Sequence, residues 1–171
     1  TWRAEPMCGI AGYIGMDPPD EARVAAALAA LGRRGPDHAG SERIATPDGG
    51  WCVLCHTRLS IIDLDPRADQ PFRDGPRLLA LNGELYDYRE LRAALEARGE
   101  RFATASDTEV LARAIGVWGW DALDRMEGMW AFALYDEGTG ELSLCRDRFG
   151  EKPLHMHRDG GGLWFASEPP A

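Results

Sequence analysis

The stretch that decides the fold is MCGIAGYIG, residues 7–15, in which a cysteine directly follows a methionine. After Cys8 the run is short and apolar, with β-branched residues at intervals and a glycine at every third position. Such a run predicts a strand from Cys8 to Ile14 whose glycines allow another backbone to approach closely. Because this strand begins with a thiol, the sequence raises the question of whether Cys8 packs or reacts.

The composition fits one globular domain with a core of its own. The chain has 171 residues, of which 44% are hydrophobic and 27% charged. Its net charge is −9, and the 19 basic residues are scattered among 28 acidic ones, which argues against a nucleic-acid or anionic-membrane partner. A small soluble substrate fits this composition better.

The sequence also indicates a compartment. No apolar run approaches the roughly 18 residues of a membrane span, and the opening TWRAEP lacks the apolar centre of a signal peptide. The 4 cysteines are too few and too unevenly spaced for the disulfide framework of a small secreted domain. We therefore expect a cytoplasmic protein without a membrane partner.

Helices and strands are expected in separate blocks. Asp20 is placed to cap a first helix that Gly32 ends, and Ser106 with Glu109 forms a capping box for a third. The predicted helices cover 21–31, 88–99 and 107–120. Predicted strands begin near Ile44 and cover 51–62, 77–83, 129–136, 141–148, 153–157 and 162–167, with turn residues at 33–40 and a long polar loop over 63–76.

These elements predict an α+β fold. The last four strands are separated by the turn signals of an antiparallel meander, and the helices occur in blocks rather than alternating with single strands. Two sheets packed face to face, with helices on their outer faces, would bury most of the apolar strands.

Two metal-like patterns have simpler explanations. Cys52 and Cys55 form a C-x-x-C, but no second pair follows at zinc-finger spacing, and both lie in an apolar strand, so we expect buried core cysteines. His155 and His157 alternate along a strand without further ligands nearby. We therefore predict no metal site, and no phosphate-binding or serine-hydrolase motif is present.

Cys8 could be a nucleophile under one condition. If the chain begins at Cys8, its own α-amine, with a reference pKa of about 7.7 to 8.0, can accept the thiol proton near cellular pH. If that amine is acylated, the base is lost. Taken alone, a cysteine at a strand start is more often a packing residue than a nucleophile.

Seven blocks of the sequence occur in the order found in class II glutamine amidotransferases, which this chain resembles. The blocks are MCGIAGYIG, RRGPDHAG, HTRLSIIDLDPRADQPF, LNGELYDY, SDTEVL, EGMWAFALYD and RDRFGEKPL. More narrowly, Arg58-Leu59-Ser60-Ile61-Ile62 is similar to the block of the N-terminal glutaminase domain of glutamine-hydrolysing asparagine synthetases. The similarity runs from Cys8 to about Glu168.

The resemblance implies a fold and a domain organisation. It implies the four-layer αββα sandwich of N-terminal nucleophile hydrolases, two antiparallel sheets flanked by helices. Residues 8–168 would form the amidotransferase domain, and residues 1–7 a leader, a propeptide or an incorrectly assigned start. Residues 169–171 would begin a linker to a synthetase domain that this sequence lacks.

The resemblance also implies a reaction and its residues. Cys8 would attack the side-chain amide of L-glutamine, release ammonia and form a thioester, while Asn82 and the Gly83 N–H stabilise the oxyanion. Arg58 would bind the substrate carboxylate and Asp107 its ammonium. The other implied contacts are Leu59, Ser60, Ile61, Ile62 and Glu84.

The implied partners are L-glutamine and a synthetase domain or subunit that receives ammonia, with a homodimer possible. The glutaminase step would need no cofactor, and ATP and magnesium would serve only the synthetase domain. A non-catalytic glutamine-binding module is the alternative if residues 1–7 remain and block the amine.

Individual residues also allow structural explanations. Asn82-Gly83 could be only a hairpin turn, Arg58 a surface ion-pair partner and Asp107 a first-turn charge at a helix N-terminus. Arg33 stands where the family commonly has histidine, and it receives no catalytic role.

Overall fold

The computed structural model describes residues 7–169. Within them, three α-helices form, namely α1 (Glu21–Leu31), α2 (Tyr88–Glu96) and α3 (Asp107–Trp118). The strands are β1 (Gly9–Gly15), β2 (His38–Ala45), β3 (Trp51–Arg58), β4 (Phe72–Asp74), β5 (Arg77–Leu85), β6 (Gly128–Asp136), β7 (Glu141–Arg146), β8 (His155–Asp159) and β9 (Gly162–Ala166). The predicted leader and linker fall mostly outside the described residues, and the 8–168 boundary stays a prediction.

The strands form two antiparallel sheets. The first has the order β2-β3-β1-β9-β8 and the second the order β4-β5-β6-β7. In the first, β1 is central, and Gly12 lies so close to its neighbours that an added Cβ would come within 2.4 Å of the Val53 oxygen and 2.3 Å of the Phe165 ring. The predicted close approach at this glycine is confirmed.

Three apolar clusters fill the spaces between the layers. One lies between the sheets and another holds α1 on the outer face of the first sheet, while the third holds α2 and α3 on the outer face of the second. Side chains alternate between faces, so Ile10 enters the inter-sheet cluster and Ala11 the cluster under α1. The α+β prediction and the four-layer αββα sandwich are confirmed.

The alternation also places the two cysteines of the C-x-x-C on opposite faces of the sheet. Cys52 enters the inter-sheet cluster, whereas Cys55 faces α1, because residues three apart on a strand point to opposite faces. Both are buried, as predicted for core cysteines. In the part of the chain that is described, no helix has the length and hydropathy needed to cross a membrane.

Two strand predictions near the site were wrong. The strand predicted over 51–62 ends at Arg58, because the last ladder partners of β3 are Gly9 in β1 and His38 in β2. Conversely, Asn82 and Gly83 do not end a strand in a hairpin turn, since β5 continues to Leu85 in register with β6. The residues after Arg58 therefore leave the sheet, while Asn82-Gly83 is held firmly inside one.

The predicted meander is in fact two hairpins in different sheets. β6 and β7 pair in the second sheet, whereas β8 and β9 pair in the first. Residues 147–154 carry the chain from one sheet to the other. The turn pattern alone could not reveal this crossing, because a hairpin signal specifies pairing within each hairpin and not which sheet it joins.

The capping box predicted at α3 is confirmed for Ser106 but wrong for Glu109. Ser106 Oγ accepts a hydrogen bond from the Thr108 N–H at 3.1 Å, as a cap should. The Glu109 carboxylate does not return to Ser106 but accepts from the N–H groups of Ala103 and Thr104 at 2.9 and 2.7 Å. The preceding turn folds under the helix and offers Glu109 more donors than the cap does.

Candidate active site

A cavity of about 410 Å³ opens where the two sheets meet at the Cys8 end of β1. Every site residue implied by the sequence resemblance lines it except Ser60. Ser60 instead donates its backbone N–H to Asp37 Oδ2 at 2.7 Å and so fixes the start of the loop. Lining residues that the sequence reasoning missed include Ala68, Gln70, Ser106, Thr108, Met129 and Lys152.

Cys8 lies directly before β1 and is half-buried. Its Sγ accepts a hydrogen bond from the Leu59 N–H at 3.4 Å and lies 3.6 Å from the Leu59 oxygen. Burial raises the pKa of the thiol, while the Leu59 N–H and the charges of Arg58 and Arg34 act in the opposite direction. The thiol therefore needs a base to become a nucleophile at neutral pH.

Asn82 and Gly83 lie side by side in β5, opposite Ala131 and Trp130 of β6. The Asn82 side chain is buried, and its Nδ2 lies 3.3 Å from Ser167 Oγ, which also accepts the Ile10 N–H at 3.0 Å. Ser167 thus joins the two sheets and fixes the amide, a role that the sequence reasoning missed.

Gly83 is required by its neighbours. A Cβ at this position would come within 2.3 Å of the Met129 oxygen and 2.7 Å of the Trp130 Cα. Both are backbone atoms of the adjacent strand, so they cannot move aside as a flexible side chain would. The glycine therefore allows β5 and β6 to pack at the cavity wall.

Arg58 ends β3 with its side chain buried and lines the cavity. One Nη donates to Asp69 at 2.6 Å, and the other donates to the Asp63 carbonyl oxygen. The guanidinium therefore closes the loop that follows β3, and binding a substrate carboxylate would require it to exchange some of these contacts. Its partner Asp69 is a half-buried loop carboxylate, and Arg58 itself is buried rather than the surface ion-pair partner considered from sequence.

Asp107 opens α3 and is 6% exposed. Its Oδ2 accepts the Leu85 N–H at 3.1 Å, which joins the helix start to the end of β5. Burial raises the pKa of the Asp107 carboxyl to about 6, against the lowering effect of the Leu85 and Thr108 N–H groups. The helix N-terminus alone does not hold the pKa of this carboxyl at its ordinary value of 3.8, and a cation beside it would favour its charged form.

The RRGPD segment, residues 33–37, contacts the backbone of Cys8. Arg34 is buried, donates from Nε to the Cys8 oxygen at 3.1 Å and pairs with Glu168 at 2.9 Å. Arg33 is exposed and also pairs with Glu168, away from the thiol. The sequence reasoning gave Arg34 no role, although this residue lies in RRGPDHAG, one of the seven blocks that carry the family resemblance, and that position was a usable signal.

Gln70 supports the opposite wall. Its Oε1 accepts the Leu81 N–H at 2.6 Å and its Nε2 donates to Thr108 Oγ1 at 3.1 Å. The side chain therefore links β5 to the first turn of α3 through Leu81 and Thr108, the sequence neighbours of Asn82 and Asp107. Within residues 7–169, no group of three His, Cys, Asp or Glu side chains is arranged to hold a metal ion.

Comparisons with known proteins agree with this geometry. The family model for the glutamine amidotransferase domain matches residues 7–171. A Mycobacterium tuberculosis protein, provisionally named a glutamine-hydrolysing asparagine synthetase, is 39% identical over 95% of this chain and 27% of its own length. A Bacillus subtilis asparagine synthetase is 32% identical over 95% of this chain and 26% of its own length.

Among solved structures, glutamine phosphoribosylpyrophosphate amidotransferase from Bacillus subtilis superposes with a TM-score of 0.76 at 26% identity, covering 94% of this chain and 42% of that one. The chain therefore belongs to the class II glutamine amidotransferases. Within that family, the two relatives named above are asparagine synthetases, and the chain spans about a quarter of their length.

Proposed function

We propose that this domain hydrolyses L-glutamine to glutamate and ammonia through a thioester on Cys8. The observation that carries the proposal is the placement of Cys8, Asn82, Gly83 and Asp107 around one cavity, from three separate parts of the chain. In this reaction the Cys8 α-amine takes the thiol proton, and the sulfur attacks the amide carbon. The proton then passes to the leaving nitrogen, which departs as ammonia, and water hydrolyses the thioester.

Each wall of the cavity has a part in this reaction. The Asn82 amide and the Gly83 N–H bind the oxygen that becomes negative in the tetrahedral intermediate. Asp107 binds the substrate ammonium, and Arg58 binds the α-carboxylate after exchanging part of its contact with the loop. The remaining contacts come from the backbone of residues 59–62 and from Glu84.

The fate of the ammonia is the second part of the proposal. By analogy with the asparagine synthetase relatives, ammonia passes to a synthetase domain or subunit that makes asparagine from aspartate and ATP in the cytoplasm. The glutaminase step uses no cofactor, and ATP with magnesium belongs to the synthetase domain.

A glutamine-binding module is the second candidate, and one contact favours it when Met7 is retained. The Met7 N–H binds the Arg34 oxygen at 2.8 Å, and the Met7 side chain lines the cavity. With this residue attached, the Cys8 nitrogen is an amide and cannot act as the base. Such a chain would bind glutamine without hydrolysing it.

The test is glutamate release from L-glutamine by protein whose chain begins at Cys8, verified by intact mass. Cys8→Ala serves as the negative variant and Cys145→Ser as the matched control, because Cys145 lies on β7 and does not line the cavity. We expect release that depends on Cys8 and persists with Cys145→Ser. Binding of glutamine without release by the processed protein would favour the binding module, and undiminished release with Met7 retained would contradict the role of the amine.

A further inference from the structure

Lys152 lies on the loop that crosses between the sheets, and its backbone is fixed from both sides. Asp147 Oδ2 accepts the Lys152 N–H at 3.0 Å, and Arg146 Nε donates to the Lys152 oxygen at 2.7 Å. Asp147 also accepts the N–H groups of Phe149 and Glu151 at 3.0 Å each. Three backbone N–H groups of the loop therefore donate to one carboxylate, and these hydrogen bonds hold the Lys152 backbone beside the cavity.

The Lys152 ammonium is a buried charge with a poor partner. The residue is 6% exposed and lines the same cavity as Cys8. Among residues 7–169, Nζ forms no salt bridge, and its hydrogen bond goes to the Met7 sulfur at 3.4 Å. A thioether is a weak acceptor, and a buried charge without a paired anion is costly. Lys152 thus brings a positive charge to the site that the fold does not neutralise.

The Met7 contact shows on which side of Cys8 this charge lies. Met7 is joined to the Cys8 nitrogen, so the ammonium contacts the side chain of the residue directly before Cys8, and its charge also interacts with that of the Cys8 thiolate. Arg34 reaches Cys8 through its carbonyl oxygen, and its Nη2 is buried without a hydrogen-bond partner among the described residues. One cation, Arg34, therefore contacts the Cys8 backbone, and a second, Lys152, contacts the residue before it.

Most of the other charges around the site have partners of their own, while Glu84 and Glu151 act on Lys152 from beyond hydrogen-bond distance and raise its pKa. The groups that face Cys8 and Lys152 from neighbouring elements are Arg34, Arg58, Glu84, Asp107 and Glu151. Arg34 is paired with Glu168 and Arg58 with Asp69. Asp107 is assigned to the substrate ammonium in the proposed reaction, which leaves Lys152 as the cation without a carboxylate at hydrogen-bond distance.

We propose that Lys152 is a positioning residue that keeps the α-amine of Cys8 unprotonated at neutral pH, so that it is free to accept the thiol proton. This inference rests on the proposed function. A nearby positive charge disfavours a protonated amine. At pH 7 an amine of ordinary pKa is only about one-seventh unprotonated, and a pKa one unit lower would raise that fraction to about three-fifths. Burial and Arg34 lower the pKa of Lys152 itself.

The test compares Lys152→Met, which removes the charge at similar length, with Lys152→Arg, which keeps it. For protein beginning at Cys8, we expect Lys152→Met to move the acidic limb of the kcat/KM profile upward by about one pH unit, with a roughly fourfold loss at pH 7 that disappears at pH 9. Lys152→Arg should keep the limb of the original protein. An unchanged limb in Lys152→Met, or an equal loss at every pH, would overturn the proposal.

A second measurement does not depend on turnover. In the original protein labelled with ¹⁵N at cysteine, NMR titration gives the pKa of the Cys8 α-amine directly. The proposal predicts a value below about 7, and a value at or above the ordinary range of about 7.7 to 8.0 would overturn it. Absence of glutamate release by the original protein would instead refute the proposed function, while the same titration in Lys152→Met, where the amine pKa should be about one unit higher, would still decide the role of Lys152.

Discussion

The interior and the end of the β1–β3 strand pair contain the same residue type in opposite situations. In the interior, Cys52 and Cys55 are buried among apolar side chains, and burial raises the pKa of each thiol to about 12. At the end, Cys8 lies one residue before the ladder begins, half-buried, with a backbone N–H on its sulfur and cations nearby. The comparison teaches that strand position, and not residue type, decides which thiol is available for chemistry.

The contrast extends to the other polar residues. In the interior, His56 is fully buried and stays neutral, with Nε2–H donating to the Leu81 oxygen at 3.0 Å. At the cavity, Asp107 carries a carboxyl group whose burial is unfavourable for the charged form. The interior thus avoids charge, whereas the cavity tolerates it where a charged substrate would bind.

The largest expected effect comes from removing the thiol at the strand end. Cys8→Ala should lower kcat for glutamate release by at least about 10⁴-fold, since no other nucleophile can form the thioester. The free energy of unfolding should change by less than about 1 kcal/mol, because Cys8 is only half-buried. Steady-state kinetics and urea unfolding measure the two effects. Residual activity within tenfold of the original would assign the nucleophile elsewhere.

Next in size is the loss of an oxyanion donor. Asn82→Ala should lower kcat about 10²- to 10³-fold, as expected for one such donor. Because Asn82 also contacts Ser167, the matched control is Ser167→Ala, which leaves the amide in place but loosens it and should cost less. Equal losses in the two variants would mean that Asn82 acts only by joining the sheets.

Asp107→Asn should separate function from stability. We expect kcat/KM for glutamine to fall roughly 10²-fold, because a buried charge pair loses one partner when the substrate ammonium binds. Asparagine can still accept the Leu85 N–H, and it avoids burying a charge. At pH 7 the variant should therefore unfold with a free energy about 2 to 3 kcal/mol higher than that of the original.

The pH dependence of the stability gained by Asp107→Asn tests whether charge burial is its cause. The pKa of Asp107 is about 6 in the fold, above its ordinary value of 3.8, so the carboxyl takes up its proton as the pH falls from 7 towards 4. The stability difference between the two proteins should shrink over the same range. A difference that stays constant from pH 7 to pH 4 would show that charge burial is not its cause.

The smallest effect at pH 7 concerns the interior. Burial lowers the pKa of His56 to about 3, from an ordinary 6.5. Between pH 6.5 and pH 3, His56 is protonated in the unfolded chain but neutral in the native state. The free energy of unfolding should therefore fall by up to about 1.4 kcal/mol for each unit that the pH is lowered over this range. Urea unfolding at several pH values should show a shallower acid slope for His56→Gln. The same slope in both proteins would remove His56 as its source.

Sequence patterns predicted the layers better than the connections. The apolar run after Cys8 predicted β1, and Asp20 marked the start of α1, because both signals are local. The pairing of β7 and β8 with different sheets has no local signal. The sequence therefore indicated which elements form, while their arrangement across the chain came from the resemblance and the structure.

The same reasoning explains the site. Cys8, Asn82 and Asp107 were identifiable because they lie in quoted blocks, and the structure places them around one cavity. Ser167 and Gln70 act through side-chain contacts, and Asn82 lies 85 residues from its partner Ser167. Polar contacts over such distances have no periodicity in sequence, so Ser167, Gln70 and Lys152 were missed as site residues.

The most direct test of the central claim is to identify the residue that attacks the amide carbon. Protein beginning at Cys8 would be treated with a glutamine analogue that carries an electrophilic diazoketone in place of the side-chain amide, then digested and mapped by mass spectrometry. The account predicts a single adduct on Cys8, protection by excess L-glutamine, and no adduct on Cys52, Cys55 or Cys145. An adduct on one of those three cysteines, or an unmodified Cys8 in a protein that still releases glutamate, would contradict it.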